Sequence, residues 1–96
     1  MIRHSALFRL RHAAGSAEEA DFLRALAGLA AIPGVEEFQI SRETSPKNPY
    51  AFAVAMRFRD QAAYDGYDVH PAHAAFVQDR WLRDVAEFME HDSVLL

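Results

Sequence analysis

Between Ile2 and Arg11 the chain alternates, with Ile2, His4, Ala6, Phe8 and Leu10 on one side and Arg3, Ser5, Leu7, Arg9 and Arg11 on the other. This is the two-residue period of a β-strand with one mostly apolar face. The pattern then changes. Ser16 followed by Glu19 makes a capping box, and Phe22, Leu26, Leu29 and Ala30 recur at helical spacing, predicting a helix over 17–31. Ile32-Pro33-Gly34 ends it, because proline pushes the residue before it out of the α region and glycine tolerates positive φ. Residues 35–43 read as a second strand, with Phe38 and Ile40 opposite Glu37, Gln39 and Ser41, closed by the turn-rich Thr44-Ser45-Pro46-Lys47-Asn48-Pro49. Over 50–58, Tyr50, Phe52, Val54, Met56 and Phe58 alternate with Ala51, Ala53, Ala55 and Arg57, giving a third strand with one bulky and one small face.

Asp60 caps a second helix through Ala63, Tyr64 and Tyr67, ending near Asp68. After the break at Val69-His70-Pro71, a further short helix starts on Pro71 and places His73, Phe76, Val77 and Trp81 on roughly one face. Residues 85–94 read as a last strand. The order strand, helix, strand, strand, helix, strand is the split βαβ topology, an α+β ferredoxin-like protomer whose four-stranded antiparallel sheet carries its helices on one face. The other face needs a cover. Two chains pairing their open sheet faces would supply it, which turns the alanine row of the third strand into an interface feature and makes a homodimer the expectation.

Composition narrows the function. With 96 residues the chain reads as one domain, residues 1–96, whose thin core a dimer interface would help. No cysteine is present, so thiolate nucleophiles, disulfide scaffolds, iron–sulfur clusters and cysteine-ligated zinc are excluded. The net charge of −4, the single lysine and the lack of a basic stripe give no footprint for nucleic acid. The arginines in the first strand interrupt its apolar pattern, so it reads as neither signal peptide nor membrane span, and a cytoplasmic protein is expected.

Four groups with hydrogen-bonding chemistry stand where the pattern is apolar: His4 on the inward face of the first strand, and Tyr67, His70 and His73 around the helix break. Imidazole exchanges a proton near neutral pH, and a phenol donates to an oxygen on which negative charge develops. Together they suit enolisation. In one regular helix, six residues would put Tyr67 and His73 on opposite faces, whereas the proline break allows both rings to face one cavity. The bland readings are a core histidine at position 4, His70 satisfying the preceding helix end, and Tyr67 as core with its hydroxyl at the surface. His70 and His73, three apart and near Asp68, have no convincing third partner and do not define a metal site. No cofactor, haem included, is required.

The chain resembles the stress-responsive α/β-barrel (Dabb) family through Ile2-Arg3-His4, Ile32-Pro33-Gly34-Val35, Ser45-Pro46, Phe58, and above all Tyr67-Asp68-Val69-His70-Pro71-Ala72-His73 followed by Phe76. The resemblance spans nearly the whole chain and implies a ferredoxin-like protomer forming a dimeric α+β barrel. A plant polyketide cyclase of that family has its pocket between sheet and helices of each protomer, with the tyrosine and second histidine of this motif as its catalytic pair. By that resemblance Tyr67 and His73 are the pair and His4 the early pocket histidine. Phe52 stands where the cyclase has a histidine, which removes one polar pocket group.

The expected function is a cofactor-free aldol-type cyclisation or isomerisation of a small apolar or aromatic carbonyl compound. His73 would remove a proton and Tyr67 would hold the enolate oxygen. Phe8, Phe52, Phe58, Phe76 and Trp81, with His70, are the expected pocket residues. The alternative is a noncatalytic, stress-responsive dimer that binds a small metabolite in the same pocket.

Overall fold

The computed structural model describes all 96 residues. Strand β1 (Ile2–Leu10) is followed by α1 (Ala17–Ala27), whose end tightens into a 3-10 turn (Gly28–Ala31). Then come β2 (Glu36–Arg42), β3 (Phe52–Phe58), α2 (Gln61–Asp68) and α3 (Pro71–Phe76). The last helix runs on through a π-helical turn (Val77–Trp81) and a single α turn (Leu82–Asp84) into β4 (Val85–Ser93). The sheet order is β2-β3-β1-β4 and every pairing is antiparallel, which is the ferredoxin-like arrangement.

Local chemistry sets the boundaries. The Ser16 side chain accepts from the Glu19 amide at 3.2 Å, and the Glu19 carboxylate reaches back to the Gly15 amide at 3.1 Å. The first helical segment reaches Ala31 as expected, but its last four residues wind as 3-10, and Ile32 before Pro33 is already extended. Gly34 then turns the chain at φ +90°, close over Ala63 of α2. Strand β3 begins two residues later than its alternation suggests, since the Tyr50 amide is taken by the Asn48 side chain at 3.0 Å. The short third helix proves longer than expected, because the π turn carries it to Asp84.

Strand register explains where the core and the site lie. On the helix-covered face, Phe8 is paired with Phe52 and Phe88, Ala6 with Val54 and Glu90, and His4 with Met56 and Asp92. The sheet therefore has three rungs: aromatic at one end, polar at the other, and a small alanine between them. Phe8, Phe22 and Phe58 are completely buried, each contributing about 1.5–3 kcal/mol. Behind this face Ser5, Leu7, Ala53 and Ala55 stay half exposed, with no element of the protomer over them. No helix is long and apolar enough to cross a membrane.

Candidate functional site

The alanine rung leaves room. Above Ala6, between the sheet and the helices, lies a cavity of about 230 Å³ whose walls are mostly apolar: Leu26 and Leu29 from the α1 end, Val54 and Met56 from β3, and Phe76, Val77 and Trp81 from the last helix. Its polar groups are gathered from four separate elements: His4 from β1, Tyr67 from α2, His73 from α3 and Glu90 from β4. The Tyr67 ring neighbours both imidazoles, 4.5 Å from that of His73 and 6.2 Å from that of His4, centre to centre. All three side chains read from the sequence as catalytic thus border one hollow.

Hydrogen bonds orient both imidazoles through Nδ1. Nδ1 of His73 lies 3.0 Å from the carbonyl oxygen of Asp68, which only accepts, so Nδ1 donates there and Nε2 is left without a partner in the protein. Nδ1 of His4 lies 2.5 Å from Asp92 Oδ1, again an acceptor, and 3.0 Å from the Tyr64 hydroxyl oxygen. The Tyr64 hydroxyl spends its own proton on Asp92 Oδ2 at 2.7 Å, so it can only accept from His4. Nε2 of His4 makes no hydrogen bond within the protein, although the residue is only 8% exposed. The cavity is therefore bordered by one phenol and by two imidazoles whose Nε2 atoms make no bond within the protein. Burial pushes the Tyr67 hydroxyl well above the ordinary phenol range, with the charges of Asp68 and Glu90 adding to it, so it stays a donor. Tyr64 is raised as well, first by burial and then by its bond to Asp92.

The residues read as pocket wall divide. Phe76 and Trp81 line the cavity. Phe8, Phe52 and Phe58 do not: they lie in the packed core, where Phe8 stacks on Phe52 at 5.6 Å and Phe58 packs on Tyr67 at 5.1 Å. His70 does not reach the cavity either. It is the N-cap of α3, its Nδ1 accepting from the Ala72 amide at 3.1 Å, and so it is committed to the helix break.

Three participants were not singled out from the sequence: Tyr64, Glu90 and Asp92. The signal for the acids was present, since the alternation that puts Phe88 on the inner face of β4 continues through Glu90 and Asp92. Tyr64 sits one helical turn before Tyr67 and shares its face. His4, Glu90 and Asp92 offer ligand atoms within 4.8 Å of one another. Two ligands on one ion stand about 3 Å apart at ordinary bond lengths, so the 2.5 Å edge between His4 and Asp92 is held by a proton and a metal would have to displace it.

Comparison with known proteins places this architecture. The sequence profile of the Dabb family, the stress responsive A/B barrel domain, matches residues 2–95. The chain belongs to that family. A Dabb protein of Mesorhizobium loti with a ferredoxin-like fold is 50% identical, with 99% of this chain and 96% of that one covered and a TM-score of 0.96. A dimeric ferredoxin-like protein of unknown function from Thermobifida fusca is 27% identical, with 98% and 90% covered and a TM-score of 0.79. The hydroxynitrile lyase of Passiflora edulis, 13% identical with 99% and 93% covered, shares the fold at a TM-score of 0.85. None of the curated proteins matches the chain.

Proposed function

We propose that this Dabb protein is a homodimer in which each protomer holds a small carbonyl compound and catalyses its enolisation, leading to isomerisation or an intramolecular aldol closure. The observation that carries the reading is the convergence of His73, Tyr67 and His4 on one sheltered, mostly apolar cavity, with Nδ1 of each imidazole held by an acceptor and Nε2 left without a partner in the protein. His73 takes the proton from the carbon next to the carbonyl, and the Tyr67 hydroxyl donates to the oxygen that becomes the enolate. His73, now carrying that proton on Nε2, returns it at a different atom, which isomerisation requires, while the second imidazole, that of His4, borders the same cavity. Asp92 and Tyr64 hold that imidazole in place through its Nδ1. The fold carries a lyase in Passiflora edulis, but fold alone does not assign chemistry, so the reading rests on these side chains. The dimer is supported by the half-exposed alanine and serine face of the sheet and by the dimeric protein of Thermobifida fusca.

Enolisation is measurable without knowing the product. In D2O, a panel of small aryl and alkyl ketones should exchange their α-protons faster with the protein than without it, followed by proton NMR. His73→Ala and Tyr67→Phe should each slow the catalysed exchange by roughly 10²–10⁴-fold while the fold is retained. Exchange undiminished in both variants would remove the mechanism. Ketone binding that persists in both, with no exchange even in the wild type, would leave a noncatalytic metabolite-binding dimer.

A further inference from the structure

The charge around the cavity is one-sided. Glu90 is the only acidic residue in the lining, and neither lysine nor arginine lines it. Its sole ionic neighbour is Nδ1 of His4 at 3.8 Å, a nitrogen already bonded to Asp92, so the Glu90 carboxylate faces the cavity mouth, 58% exposed, without a permanent cation. Of the arginines on the adjoining elements, Arg9 is engaged with Glu87, Arg80 with Asp21 and Arg83 with Asp84, and Arg3 lies on the opposite face of the sheet with Ala55 and Arg57. The carboxylates of Asp68 and Glu90 act on the Tyr67 phenol from outside the cavity and at its rim, and Asp92 stands behind His4. Beside Glu90, two residues along the same face of β4, Phe88 is 51% exposed and meets the edge of Trp81 at 5.4 Å between ring centres. A carboxylate next to two accessible aromatic rings is the environment that holds an ammonium group, by ion pairing and by attraction to the ring faces.

From this arrangement we infer that the cavity selects an apolar compound bearing a protonated amine, such as an arylalkylamine or amino ketone, and rejects the corresponding carboxylic acid. The inference rests on the pocket of the proposed function and adds the charge class of its occupant. An acid in this cavity would bring its anion toward Glu90 with no cation to receive it. An amine at the mouth would pair with Glu90 while its apolar body fills the space over Ala6.

Three probes of one skeleton test it: 3-phenylpropylamine, 3-phenylpropanol and 3-phenylpropanoate, titrated at pH 7 and low salt by NMR and calorimetry. The amine should bind at least ten-fold more tightly than the carboxylate, with the alcohol between them. Glu90→Gln, nearly isosteric and at an exposed position, should bring amine and carboxylate within about three-fold of each other. A carboxylate that binds the wild type as well as the amine, or an amine preference untouched by Glu90→Gln, overturns the inference. No binding by any of the three overturns it together with the pocket on which it rests. The expected order of binding without ketone exchange leaves the inference standing and defeats only the catalytic reading.

Discussion

Replacing Ala6 by leucine should make the protein more stable and less able to bind. Ala6 is the small rung between His4 and Phe8, 7% exposed, with Val54 and Glu90 as its cross-strand neighbours and about 230 Å³ of space above it. Leucine adds three carbons to that space. At about 0.8 kcal/mol for each buried methylene the gain is about 2.4 kcal/mol. Fixing the new side chain costs about 0.5–1 kcal/mol of rotamer freedom, leaving about 1.5 kcal/mol. For a domain of this size that raises the melting temperature by roughly 6–12 °C. Urea unfolding followed by Trp81 fluorescence at fixed protein concentration gives the stability, and an NMR titration with 3-phenylpropylamine gives the binding, which should weaken at least ten-fold. A clear loss of stability would mean that the space over Ala6 is already filled. Unchanged binding would mean that ligands sit elsewhere.

Two further outcomes are expected. Asp84 is buried and accepts from both Arg83 nitrogens at 2.9 and 3.0 Å and from His12 at 3.0 Å; the Arg83 bonds foremost hold its carboxyl below the usual range. A depressed folded pKa stabilises above the unfolded value of about 4 and is lost as pH falls through the folded one. Asp84→Asn should therefore cost about 1–2 kcal/mol at pH 7, and the gap from wild type should close progressively below about pH 4 in acid-unfolding curves; a gap independent of pH would refute the assignment. Ala55→Arg places a cation between Ser5 and Gln39 on the open sheet face, twice in a symmetric pair, and should convert the dimer to monomer in sedimentation velocity. A variant that sediments like the wild type would show that pairing uses another surface.

The fold was legible because periodicity and punctuation agree along most of the chain. The capping box at Ser16, the Ile32-Pro33-Gly34 stop and the clean alternation of β3 each fix one boundary or face, and together they leave one topology. The pairing of Tyr67 with His73 was legible from the proline break and from the family motif. The aromatic assignments were less so, since alternation tells that Phe8, Phe52 and Phe58 point inward but not whether they meet a cavity or another ring. That depends on packing between helices and sheet, and here the room comes from Ala6, the smallest member of its rung, instead of from the large residues around it. His70 shows a related ambiguity: one imidazole next to a proline serves a cap or a site, and only the Ala72 amide decides which. Tyr64 and Asp92 gain their roles through contacts with a strand far away in the sequence, which no local pattern contains.

The π-helical turn at Val77–Trp81 has a consequence for how such chains diverge. A turn of this kind is one residue longer than its α counterpart and absorbs that residue locally. Both ends of the segment are pinned, Pro71 by its cap and Asp84 by the Arg11 amide on its carbonyl at 2.8 Å. Deleting a single residue there would restore α winding and keep the phase of what lies on either side, so that only the side chains of the turn itself, Val77 and Trp81 among them, would be re-aimed while the strands stay paired as they are. Gain or loss of one codon in this stretch is thus a route by which homologues sharing the same sheet acquire differently shaped hollows and, with them, different occupants.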